Sequence, residues 1–155
     1  TKPDQPSGMF STKGFLDVES RTLEVSHLSP SPEERWAITI EQLNKISQEV
    51  EQMGAKYVMA IHPDQFQIND TLRSELEQTY HLDLTNYNIK LPQQFLLNYC
   101  HSKNITCLDL LPAFESASSK KSLYAFRDIH YGTEGNKLAS ETIFNFLQEK
   151  NLLQK

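Results

Sequence analysis

Two short apolar runs, each introduced by a helix and a turn, constrain this chain more than any other feature. The first is Lys56–Ile61, directly after Gly54. The second is Ile105–Leu111, after a stretch that Pro92 opens. Both are too short for a buried helix and too evenly apolar for a half-solvated strand, so they fit strands covered on both faces, as in a parallel sheet. Helix, glycine turn and strand in succession make half of a β–α–β unit, and parallel strands need such crossovers. The predicted fold class is therefore α/β, with a short parallel sheet flanked by helices. Ligands of open α/β sheets gather beyond the carboxyl ends of the strands, where His62-Pro63-Asp64 falls. His62 is thus a candidate pocket residue; a histidine capping the strand by a backbone bond is the plainer reading.

The rest of the chain divides around these strands. Ser31 or Pro32 opens a long helix, with Glu33 and Glu34 at its positive end. Along it Trp36, Ile40, Leu43, Ile46 and Val50 repeat at helical spacing, and Trp36 reads as a core or edge anchor. Asn69 or Asp70 caps a helix reaching about Tyr80, with Leu72, Leu76 and Tyr80 on one face. Pro92 starts another whose Phe95, Leu96 and Tyr99 point inward, with His101 on the surface at its end. Phe15-Leu16-Asp17-Val18 and Thr22-Leu23-Glu24-Val25 alternate around Glu19-Ser20-Arg21, which predicts a β-hairpin. Residues 1–14, holding Pro3, Pro6, Gly8 and Gly14, read as a linker or disordered tail, and Ser7 and Ser11 as part of it. Ala113–Arg127 is polar and lysine-bearing, a candidate mobile flap. Cys100 and Cys107 read as buried thiols, with a disulfide between them as the alternative.

The chemistry concentrates in Leu123–Leu147. Asp128 and His130 lie two residues apart in a loop, and a helix follows at once. Thr133 is its expected N-cap, Glu134 sits in its first turn, and Leu138, Thr142, Ile143, Phe146 and Leu147 form its apolar stripe. Histidine titrates near neutral pH and can take a proton from a hydroxyl, and a neighbouring carboxylate can set its tautomer. Composition alone favours a plainer alternative, an Asp–His bond that merely staples loop to helix.

Asp128-x-His130, the Gly132-x-x-Gly135 turn and the amphipathic helix after them resemble the last motif block of the SGNH/GDSL hydrolases, a family that includes polysaccharide acetyltransferase-like members. His62 to Asn69, Leu91 to Leu96 and Ile105 to Phe114 fit around it in the same order, so the resemblance covers roughly Phe15 to the end. It implies a three-layer α/β/α, flavodoxin-like (SGNH-type) partial domain over residues 15–155. It further implies a serine esterase or acyltransferase acting on a small ester or an acylated carbohydrate. His130 would be the general base and Asp128 its orienting acid, at a two-residue spacing where many members have three. Tyr131, Phe126 and His62 are candidate substrate-binding residues. Gly-Asp-Ser appears nowhere in the chain, and Gln67-Ile68-Asn69-Asp70 lacks the glycine of the family's Gly-x-Asn-Asp block. The expectation is a C-terminal half of the domain, inactive alone, with the nucleophile on the other half. Such a fragment would supply two of the family's five strands and leave an edge free to pair with that half or with a second copy. The resemblance slightly favours a periplasmic or secreted location. The competing reading is a non-catalytic α/β binding domain that keeps the fold.

Composition closes off other classes. A net charge of −5 and a pI near 5.5 leave no basic face for nucleic acid. No apolar run approaches the length of a membrane span. Neither cofactor motif nor metal-ligand spacing is present, so no cofactor and no metal are expected.

Overall fold

The computed structural model describes residues 8–119 and 121–153. Thr1–Ser7 of the expected tail and Lys120 of the expected flap lie outside the described residues. Among the described residues seven α-helices and two strands follow in order: α1 Thr12–Leu23, α2 Pro32–Gln52, β1 Val58–Ile61, α3 Gln65–Ile68, α4 Asp70–Tyr80, α5 Leu91–Ser102, β2 Thr106–Asp109, α6 Leu111–Ser118 and α7 Thr133–Glu149. The strands pair in parallel, Val58 opposite Thr106 and Ile61 opposite Asp109. This is the expected short parallel sheet flanked by helices. Among the described residues each strand has a partner on one edge alone.

The expected hairpin at Phe15–Val25 is instead α1 and a 3-10 turn at Glu24–Ser26. Ser11 accepts the Gly14 N–H as N-cap, so the helix starts inside the stretch read as a tail. Phe15, Leu16, Glu19 and Leu23 share its buried face. Glu19 is the reason for the misreading: a glutamate in mid-pattern signals a solvated turn, yet here it is fully buried.

Two apolar clusters carry the fold. One joins Phe15, Leu16 and Leu23 of α1 to Phe66 of α3 and to Leu72 and Leu76 of α4. The other gathers Leu110, Phe114 of α6, Leu123, Tyr124 and Ala139 of α7. Leu76 and Phe114 are wholly enclosed, and truncating either to alanine would cost about 2–5 kcal/mol. The second cluster corrects the expected flap, because Phe114, Leu123 and Tyr124 are anchors and α6 occupies much of that stretch. Helix α2 has no fully buried residue. Trp36 is an edge anchor, half-buried against Phe95 with ring centroids 5.6 Å apart.

Cys100 and Cys107 are joined in a disulfide, which corrects the reading as thiols. After α5 the chain reverses through Asn104, whose φ of 54° is left-handed, and Ile105 donates to the Cys100 carbonyl at 2.9 Å. That reversal returns β2 alongside the helix end and brings the two Cα atoms to 6.2 Å, within bonding reach. Bonded spacing of this kind depends on turn geometry that residue spacing alone does not reveal.

Candidate functional site

The loop bearing Asp128 and His130 is closed at its base and held from below. Tyr124 and Tyr131 form an antiparallel bridge, and Gly132 donates to the Leu123 carbonyl at 2.9 Å. One step further out Ala125 donates to the His130 carbonyl at 3.0 Å. The tip turns through Arg127, whose φ is 48°. Helix α7 begins immediately below, and Gly132 rather than the expected Thr133 is its N-cap. Gly132 is extended there and carries no capping side chain; Asn136 of the first turn donates to the Tyr131 and Gly132 carbonyls, both at 3.2 Å. Gly135 lets the helix approach, since a Cβ at that position would land on the Leu123 carbonyl oxygen.

Within this frame one Asp128 oxygen accepts two bonds from His130, from the backbone N–H at 3.0 Å and from the ring Nδ1 at 2.7 Å. The ring bond is the main cause that holds the Asp128 carboxyl below its ordinary pKa. The His130 side chain is 69% exposed and Asp128 only 18%, so the acid is tucked behind an imidazole whose other nitrogen is free toward solvent. The Asp128 bond thus fixes the orientation of the ring through Nδ1.

Tyr131, next in sequence, packs against the second apolar cluster. Its ring lies 4.8 Å from Phe114, 5.1 Å from Tyr124 in an edge contact and 5.7 Å from His62. Its hydroxyl shares a hydrogen bond with His62 Nδ1 at 3.2 Å, and burial pushes its pKa up to about 12. Tyr124 donates to the Pro63 carbonyl at 2.5 Å. The carboxyl end of β1 is therefore tied to the Asp128–His130 loop by two tyrosines. His62 is exposed and bonded to Tyr131, rather than capping its strand through the backbone. It lines a cleft of about 300 Å³ with Trp36, Gln93 and Leu96. Phe126 is 45% exposed, carries the Arg127 guanidinium 4.9 Å over its ring, and lines a separate cleft of about 330 Å³. The structure thus brings Tyr131 and His62 together at the end of β1, pairs Asp128 with His130 on the exposed loop, and places Phe126 at a separate cleft.

The family model of the SGNH hydrolase-like domain of acetyltransferase AlgX matches residues 22–155. The chain belongs to this family. No curated protein and no solved structure matches it. In this SGNH hydrolase-like chain, the residues that sequence reading missed are buried polar ones. Gln67 and Gln93 bond each other, Gln67 also donates to the Ile89 carbonyl, and its Oε1 accepts the Asp64 N–H at 2.7 Å. Together they pin the turn after His62 to α5. Their sequence signal is faint: a glutamine in an apolar helix face reads as surface until its partner, far along the chain, is known.

Proposed function

We propose that Asp128 and His130 are the acid–base pair of an acyl-transfer site, acting on an ester-linked acyl group of a small ester or acylated carbohydrate. The observation that carries this reading is the 2.7 Å bond from His130 Nδ1 to a tucked-away Asp128, with the far side of the ring open. His130 Nε2 takes the proton of a hydroxyl as the hydroxyl oxygen bonds the acyl carbon, and Asp128 steadies the imidazolium so formed. The proton then passes to the departing alkoxide as the ester bond breaks. Membership of the SGNH hydrolase-like family supports this chemistry. In this reading the hydroxyl belongs to a serine block that the given sequence does not hold, since Gly-Asp-Ser appears nowhere in it. On the same reading Tyr131 and His62 meet the substrate at the carboxyl end of β1, and Phe126 meets it from its own cleft. The Cys100–Cys107 disulfide supports a periplasmic or secreted location, since such bonds persist in oxidising compartments.

The test is p-nitrophenyl acetate turnover and labelling by a serine-directed fluorophosphonate, for the chain alone and together with the polypeptide that completes its domain. The chain alone is expected to show neither. In the completed domain His130→Ala and Asp128→Asn are each expected to lower kcat by roughly 10²–10⁴-fold. Full activity in the His130→Ala protein would overturn the assignment and favour a binding domain.

A further inference from the structure

Glu19 is a fully buried acid without a counter-ion among the described residues. It is 0% exposed on the inner face of α1, and neither carboxyl oxygen finds a hydrogen-bond donor among the described residues. An ionised carboxylate in such a place is untenable without a partner. The group it faces is another acid, Asp64, at the turn between β1 and α3. Asp64 is the better provided of the two. It forms a capping box with Gln67, and the backbone N–H groups of Gln65 and Phe66 favour its charge. Two facing carboxyls, one solvated by amides and one by nothing, are stable when a single proton lies between them.

We propose that Glu19 is a protonated positioning residue that donates to Asp64, and that this shared proton latches α1 to the loop carrying His62 and Pro63. The loop is the same one that seats Tyr131 through His62 and Tyr124 through the Pro63 carbonyl, so the latch bears on the two tyrosines bridged at the base of the Asp128–His130 loop.

Among the described residues the nearby charged and phenolic groups are engaged elsewhere. Tyr124 is near enough for both acids to raise its pKa, and Tyr131 feels Asp64. On α4, Arg73 is held by Asp70 and the Phe66 carbonyl, and Tyr80 donates to Asp17 on another face of α1. Beside the 3-10 turn, Tyr87 donates to Glu24. Gln65 and Gln67 of α3 carry no charge. Burial, and then the Asp64 charge, push the Glu19 pKa up to about 9, and burial raises that of Asp64. The folded state therefore holds a proton that the unfolded chain releases near pH 4.5. Stability attributable to the latch is complete below that pH and drains away as pH rises toward about 9.

The experiment follows the Glu19 side-chain carboxyl carbon by ¹³C NMR in the wild-type chain through a pH titration. A midpoint above about 7 is expected, and one at or below that value overturns the proposal. Amide hydrogen exchange at pH 10 supplies the positional readout, comparing α1 with α7 in wild type and in Glu19→Gln, whose amide donates to Asp64 at every pH. Wild-type α1 is expected to exchange about tenfold faster relative to α7 than α1 of the variant does. Equal ratios in the two proteins would show that no latch opens.

Discussion

Gly135→Ala separates two opposed expectations for one methyl group. Position 135 is helical, in the first turn of α7, where alanine is favoured over glycine by about 0.8–1 kcal/mol. Judged from helix propensity, the substitution stabilises. Judged from the packing it does not, because the new Cβ would sit on the Leu123 carbonyl oxygen and 3.1 Å from both the Leu123 carbonyl carbon and the Tyr131 Cβ. The obstacle is backbone, so no rotamer change relieves it. Either α7 withdraws or the Leu123–Gly132 bond opens, and the Ala125–His130 bond is next in line. Overpacking costs about 1–3 kcal/mol and each backbone bond about 1 kcal/mol. Set against the propensity gain, the net is a loss of roughly 1–3 kcal/mol, or about 3–9 °C in Tm for a chain of this size. Urea denaturation followed by circular dichroism measures it, with Ser140→Ala on the exposed side of the same helix as control. A Gly135→Ala protein as stable as wild type, or more so, would refute the close approach of loop and helix on which the site geometry rests.

Other outcomes follow from particular contacts. Opening the Cys100–Cys107 bridge with Cys100→Ser removes a short covalent loop and is expected to lower the unfolding free energy by about 2–2.5 kcal/mol, read from the urea midpoint under oxidising conditions. In His130→Ala the Asp128 carboxyl loses its chief stabiliser, so its pKa rises toward the usual aspartate value; ¹³C NMR of its carboxyl carbon reads this directly. The sign fixes the pH window. A depressed carboxylate favours the folded state above its unfolded pKa, and that contribution fades as pH falls through the folded one. The unpaired edge of β1 is expected to recruit a strand from a second copy at high concentration, and sedimentation of a clean monomer there would count against that.

Local sequence was sufficient for elements whose signals are short-range. The long helix opened by Ser31-Pro32, the cap at Asn69, the strands at Val58–Ile61 and Thr106–Asp109 and their parallel sense were all legible from periodicity, caps and the helix–turn–strand order. So was the adjacency of Asp128 and His130, because two residues in one tight loop need little help to meet. Tertiary structure decided whatever depends on a distant partner. Glu19 becomes an interior residue only when Asp64 arrives from the end of β1, and with it a stretch that alternates like a hairpin becomes a helix. His62 reaches Tyr131 across the whole of the intervening chain, Gln67 finds Gln93 on another helix, and Cys107 returns to Cys100 through one left-handed residue. Propensity and patterning act over a few residues, whereas the burial of a polar group is tolerated or forbidden by what the completed fold places opposite it.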